Sequence, residues 1–298
     1  MKKRKSNSFI ASALPFFISH WPASLFIISL SLRLVNIADN FWYDETFTAW
    51  LAGLDIEHLL KATAGDVHPP LWYLIEWITA RLIGSSEAAL RLPAVFFSSA
   101  SAVLIYQLVA EDLKFDAKLA RYSSLLFAAS PAMIRYAQEA RMYSLLTFLV
   151  ILALQGAIRR DNWRLVPSLA LILYTQNIGA LYVVAIGLYV LITQKKKAIA
   201  PLTLAGACYL PWLPVLLHQF SIVSDSFWIP PSGNPGGLLY NLHFSTFYLR
   251  VPDWFSIHQF ATAAILTIAA IAGSWKIRDQ IAPVALVAFL PPSLLYAA

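Results

Sequence analysis

Ten apolar runs separated by short polar breaks divide this chain, near residues 17–36, 71–84, 92–110, 119–134, 142–158, 165–175, 178–194, 198–217, 259–275 and 281–298. Runs of this length and density predict helices packed in a bilayer, since a helix rises ~1.5 Å per residue against a hydrocarbon core of ~30 Å. The run at 71–84 departs from the others. Its fourteen residues carry Tyr73, Glu76 and Thr79 at three-residue spacing, a polar strip that predicts an interfacial helix lying on the membrane.

Charge supports that choice. With 71–84 kept out of the bilayer, five basic clusters fall on the side of the N-terminus: Lys2 to Lys5; Lys114, Lys118 and Arg121; Arg159, Arg160 and Arg164; Lys195 to Lys197; and Lys276 with Arg278. They hold fifteen of the 22 Lys and Arg residues, as expected of a cytoplasmic face. The stretch 165–194 reads as a hairpin broken at Tyr174-Thr175-Gln176-Asn177 rather than one long tilted helix, because the hairpin keeps Lys195 to Lys197 inside. The expected fold class is therefore all-α, a polytopic transmembrane helical bundle of about nine spans. It forms a single membrane domain over 1–298, with an extracytoplasmic first loop at 37–91 containing interfacial helices and a second outer loop at 218–258.

Composition narrows the class. The 298 residues are 59% apolar and only 13% charged, and the mean hydropathy is +0.63, so no soluble domain is visible. The net charge of +6 comes from clusters between apolar runs, which excludes nucleic-acid binding as its purpose. The single cysteine, Cys208, has no partner for an internal disulfide and reads as a small buried side chain. Met1 to Lys5 followed by apolar sequence to about Ile37 reads as an uncleaved signal anchor.

With so few charges, an acidic pair beside the membrane stands out. Asp44 and Glu45 follow Phe41, Trp42 and Tyr43 just past the first span. Adjacent residues point roughly 100° apart on a helix, which gives the two carboxylates different jobs. One facing a cleft can accept a proton from an acceptor hydroxyl, and the other can orient a cation or bind a divalent metal. The structural alternative is that Asp44 caps the helix that follows. Asp66-Val67-His68-Pro69-Pro70 ends the same loop in a turn stiffened by two prolines, which brings Asp66 and His68 toward Asp44. No spacing here is diagnostic for a metal.

Arg91 and Arg141 both stand at the outer start of a span, where a guanidinium can hold a phosphoryl group through paired hydrogen bonds; snorkelling or ion pairs with Glu87 or Glu139 are the plainer uses. In the second outer loop His243, Tyr248, Arg250 and Asp253 specify no chemistry by spacing, and Lys61 reads as part of a solvated face. No Gly-rich phosphate loop is present, so a nucleotide-sugar donor lacks support.

The ordered set of an outer Asp-Glu, His68-Pro69-Pro70-Leu71-Trp72-Tyr73, Gly84-Ser85-Ser86-Glu87, Leu90-Arg91-Leu92-Pro93, Ser130-Pro131 and Gln138 to Tyr143 resembles the GT-C glycosyltransferases of the protein O-mannosyltransferase and aminoarabinose-transferase superfamily over roughly 30–220. The resemblance implies transfer of a sugar from a polyprenyl-phosphate carrier to an extracytoplasmic protein, lipid or glycan, usually with inversion. It implies Asp44 as the acceptor-activating base with Glu45 beside it. Asp66 and His68 would flank the entry of the lipid phosphate, and Arg91, Glu139 and Arg141 would stand on the substrate side. It also implies a multi-pass protein of a bacterial plasma (inner) membrane with a cytoplasmic N-terminus. Relatives are commonly longer and often have Tyr-Thr-His where this chain has Tyr174-Thr175-Gln176, so a shortened member is expected. The other classes that the spans admit are a transporter or lipid flippase and an inactive lipid-carrier-binding protein; scarce intramembrane carboxylates favour the enzyme.

Overall fold

A computed structural model describes residues 19–226 and 278–297, and among them every regular element is helical. In chain order these are α1 (Trp21–Arg33), α2 (Tyr43–Gly53), α3 (Ile56–Ala64), α4 (Leu71–Leu82), α5 (Glu87–Gln107), α6 (Ala117–Ala128), α7 (Pro131–Ala137), α8 (Tyr143–Arg159), α9 (Asn162–Thr175), α10 (Gly179–Gln194), α11 (Ile199–Tyr209), α12 (Leu213–Ser226) and α13 (Arg278–Ala297). The basic N-terminal cluster, the run at 259–275, Lys276 and His243 to Asp253 of the second outer loop lie outside the described residues.

Two helical stretches, Glu87–Asp112 and Gly179–Ser221, are long and apolar enough to cross a membrane by length and composition, and Trp21–Arg33, Tyr143–Arg159 and Asp279–Ala288 are shorter apolar helices. The longer stretch is not a straight rod. It reverses at Lys195, where φ is 53°, so that Gly187 of α10 faces Leu202 of α11. The expected hairpin at 174–177 is present, with α9 ending at Thr175 and α10 beginning at Gly179. The run at 119–134 is instead broken in two, because Ser130 caps α7 by accepting the Met133 N–H and Pro131 occupies its first turn, where proline needs no amide hydrogen.

The core is built around α8. Its Leu145, Leu149, Ala153 and Leu154 are buried together with Leu165, Leu169 and Ile172 of α9 and Ala185, Ile186 and Val190 of α10. The approach of α8 to α9 needs Gly156, since a Cβ there would stand 2.7 Å from the Leu165 nitrogen. The outward side chains are also largely apolar, and Cys208, expected to be buried, is exposed among them on α11. Leu126, Ile192 and Phe220 are each more than 70% exposed, a surface suited to lipid and ill suited to water.

The polar strip of α4 runs the other way from its expected use. Tyr73, Glu76 and Thr79 are buried while Ile78 and Leu82 are exposed, so α4 turns its polar side into the protein against α2 and α5. Of these groups the Thr79 hydroxyl donates to the Ile75 carbonyl at 2.9 Å, whereas the Tyr73 hydroxyl and the Glu76 carboxyl oxygens are buried without a partner.

The ends of the bundle differ in charge. At one end Arg159 pairs with Glu111 at 3.0 Å and with Asp112, and Gln194 donates to the Ala157 carbonyl at 3.2 Å. This gathers the breaks after α5, α8 and α10, and with them the basic clusters at 114–121, 159–164 and 195–197. Each of these breaks passes through a basic residue at positive φ, namely Lys114, Arg160 and Lys195. The loops holding Asp44, His68, Gln138 and Asn177 come together at the opposite end.

Candidate active site

The helix α2 begins at Tyr43, and its N-terminus is tied by Glu45, whose carboxylate accepts the Trp42 N–H at 3.3 Å. The cap is therefore Glu45 and not Asp44. One residue earlier on the helix, Asp44 is 34% exposed and faces a cleft of about 560 Å³ lined by Tyr43, Asp44, Thr46, Phe47, Trp50, Asp66, His68 and Arg141. Four of the expected site residues meet there. The other three, Glu45, Arg91 and Glu139, do not line it.

Glu45 and Arg91 form a buried clamp instead. Arg91 donates from Nε to Glu45 Oε1 at 2.8 Å and from Nη2 to Oε2 at 2.7 Å. Its remaining hydrogens reach the carbonyls of Ile37, Asp39 and Asn40 at 2.8, 2.5 and 3.2 Å. Glu45 Oε1 also accepts the Ala140 N–H at 2.7 Å. The arginine thus spends its hydrogen bonds fixing residues 37–45 to α5, and with 3% exposure none of its nitrogens is left for a phosphate. The sequence signals around it are likewise architectural: Gly84 takes φ 115° to end α4, and Ser86 caps α5 by accepting the Ala89 N–H.

The run Gln138 to Met142 acts as a hub. Gln138 donates to the Val35 carbonyl, Ala140 joins Glu45 as above, and the Ala140 carbonyl accepts the Trp72 indole N–H at 3.0 Å. Glu139 is buried against Arg135 at 3.2 Å. Burial pushes its carboxyl up to about 7, outweighing the pull of Arg135. Arg141, within the same run, lines the cleft.

Arg141 is held loosely. Its Nη2 stands 3.7 Å from Asp44 Oδ2 and 3.5 Å from His68 Nε2, while Nε is buried with no partner. Burial works against its charge, but Tyr73, Tyr143 and Asp44 around it hold the pKa above the ordinary arginine value. His68 meets Asp66 through Nδ1 at 3.0 Å. An arginine can only donate, so the tautomer with the proton on Nδ1 satisfies both contacts and leaves Nε2 as the acceptor toward Arg141. Burial raises Asp66, yet the His68 hydrogen bond, the Val67 N–H and the charge of Arg141 prevail and keep its carboxyl below the usual range.

The His68 loop is braced from two later helices. Asn177, in the α9–α10 turn, donates to the Val67 carbonyl at 2.8 Å, and Gln219 of α12 reaches the carbonyls of Thr63 and His68 at 3.0 and 3.4 Å. Among the described residues, no three His, Cys, Asp or Glu side chains gather closely enough to hold a metal ion. The aromatic wall of Phe47 and Trp50 was not marked by the sequence, and Trp72 and Tyr73, though part of the quoted motif and polar strip, were not among the expected site residues. Periodicity does place residues 43, 47 and 50 on one face of α2.

Among the described residues the body is all-helical, with a lipid-suited surface and a cleft lined by acidic residues and an arginine at one end, a make-up that places the chain in the class of membrane-embedded proteins. Residues 67–218, just over half of the chain, match the family of dolichyl-phosphate-mannose-protein mannosyltransferases. The chain belongs to this family and is a membrane glycosyltransferase of the GT-C type. No curated protein and no solved structure matches it.

Proposed function

We propose that this glycosyltransferase moves a sugar from a polyprenyl-phosphate carrier to a hydroxyl of an extracytoplasmic protein, lipid or glycan, with inversion at the anomeric carbon. The observation that supports this reading is the meeting of Asp44, Asp66, His68 and Arg141 in one cleft, at the end of the bundle opposite the described basic clusters. Those clusters mark the cytoplasmic side, so the cleft opens outward in a bundle of about nine spans with its N-terminus inside a bacterial plasma membrane.

The chemistry follows from the two partners of the loose pair. Asp44 takes the proton of the acceptor hydroxyl as its oxygen attacks the anomeric carbon. The bond from that carbon to the phosphate oxygen breaks on the opposite side, and the charge left on the lipid phosphate is met by Arg141. A separation of 3.7 Å between Asp44 and Arg141 lets the two attract each other without committing either group to the other. His68, held by Asp66, supports the same terminal nitrogen of Arg141 that faces Asp44. Glu45 and Arg91 position Asp44 by fixing the start of α2.

The test is Asp44→Asn in membranes given a labelled polyprenyl-phosphate sugar. Transfer is expected to fall by ~10²–10⁴-fold, the usual worth of a general base, with an unchanged melting temperature. Turnover at the rate of the unaltered protein would remove Asp44 from the mechanism.

A further inference from the structure

Tyr73 sits directly behind the cleft. It follows Trp72, whose indole holds Ala140, and its ring packs edge-on against Phe47 of the cleft wall at 6.0 Å. Its side chain is fully buried, and its hydroxyl has no hydrogen-bond partner. Arg141 lies close enough to act on it directly, and the charges of Asp66 and Asp44 act on it as well. Arg141 has the matching defect, a buried Nε–H with no acceptor. A lone buried donor beside a lone buried acceptor is an unstable arrangement unless some state of the protein joins them.

We propose that Tyr73 is a positioning residue for Arg141: its oxygen receives the Nε–H when a phosphate draws the guanidinium off Asp44 and His68, turning both terminal nitrogens into the cleft. The inference rests on the reading of Arg141 as the partner of the donor phosphate. It explains why the polar side of α4 faces inward at this position. It also explains why the long contacts of Arg141, 3.7 Å to Asp44 and 3.5 Å to His68, are both made by Nη2 alone. Those contacts are the ones that a phosphate would replace, whereas the partnerless Nε takes part in neither and is released by no such exchange. Burial pushes the Tyr73 phenol up, so it stays neutral and serves as a hydrogen-bonding group and not as a charge.

The experiment compares Tyr73→Phe, Arg141→Lys and the double variant of the full chain. Phenylalanine keeps the ring against Phe47, so melting is expected at or above the temperature of the unaltered protein. Sugar transfer by Tyr73→Phe should fall about tenfold, seen chiefly in the KM for the lipid donor, as expected when a hydrogen bond to a charged group is lost. In the Arg141→Lys background, which has no Nε–H fork, the same change should cost nothing more. Losses of equal size in both backgrounds, or no loss in either, overturn the proposal. A second arm needs no sugar transfer: inorganic phosphate should shield Arg141 from phenylglyoxal, read by mass spectrometry of its peptide, and shield it less in Tyr73→Phe. Equal shielding in the two proteins, none included, overturns the role of Tyr73. Failure of transfer by the unaltered protein with this second result intact would instead sink the donor assignment alone.

Discussion

Two neighbouring carboxylates are each matched to an arginine, and the two pairs are built for opposite ends. Glu45 and Arg91 meet through two hydrogen bonds of 2.7–2.8 Å in a site almost closed to solvent. Asp44 and Arg141 stand 3.7 Å apart at the edge of a cleft, with the carboxylate 34% exposed. In the first pair every polar atom is used, so nothing remains to bind a substrate. In the second the contacts are long and partly open, so a ligand can exchange into them at little cost. A charged pair thus declares its role by what it leaves unsatisfied.

The contrast breaks first at the clamp. Arg91→Ala strands the Glu45 carboxylate in the core and frees residues 37–45, and removing one partner of a buried pair costs ~3–5 kcal/mol. A large drop in melting temperature is expected, with transfer lost because the fold around α2 is lost. Arg141→Ala should do the reverse. Asp44 can be hydrated once its partner is gone, so the melting temperature should hold, while transfer falls by ~10²–10³-fold, as for loss of a donor that meets developing charge. Should Arg91→Ala melt normally or Arg141→Ala unfold, the division of labour between the pairs is wrong.

Which member of each pair does what was only partly legible in the sequence. The apolar runs located the helices, because burial in a bilayer demands continuous apolar stretches: the run at 142–158 became α8 (Tyr143–Arg159) and the break at 174–177 became the α9–α10 turn. The ordered motifs brought Asp44, Asp66, His68 and Arg141 to one cleft. Spacing also said that Asp44 and Glu45 point apart, but only tertiary contacts decide which of two directions is the interior. The same limit applies to α4, whose strip of Tyr73, Glu76 and Thr79 has one period whether it faces water or the protein core. Arg91 and Arg141 look alike in sequence for this reason too. Arg91 meets a clutch of carbonyls at 37–40 that no local pattern announces.

Two carboxyls of the site region are expected to shape stability with pH in opposite senses. Glu139 is raised to about 7 by burial, whereas the unfolded chain ionises such a group near ~4.3. Between those values the folded protein holds more protons than the unfolded one, so stability should fall as pH rises toward 7 and level off above it. Glu139→Gln should remove that decline, melting higher than the unaltered protein at pH 8 and no higher at pH 4. Asp66, held below the usual range, contributes stability above its ordinary ~3.9 that is lost as pH falls through the lower folded value. Asp66→Asn should therefore flatten only the acid limb of a melting-temperature profile.

The smallest effect belongs to a third acid–base pair. Lys61 and Glu57 lie 2.6 Å apart on α3, the shortest separation of the three pairs, yet both side chains are 70% exposed. Water and salt screen such a pair, and holding two long side chains together costs conformational entropy. Lys61→Ala is expected to leave both melting and transfer unchanged within measurement. If it lowered either as much as Arg91→Ala or Arg141→Ala does, distance alone would govern these pairs. With no effect, the ordering follows burial and unmet hydrogen bonds, the two properties that separate the Glu45–Arg91 clamp from the Asp44–Arg141 cleft.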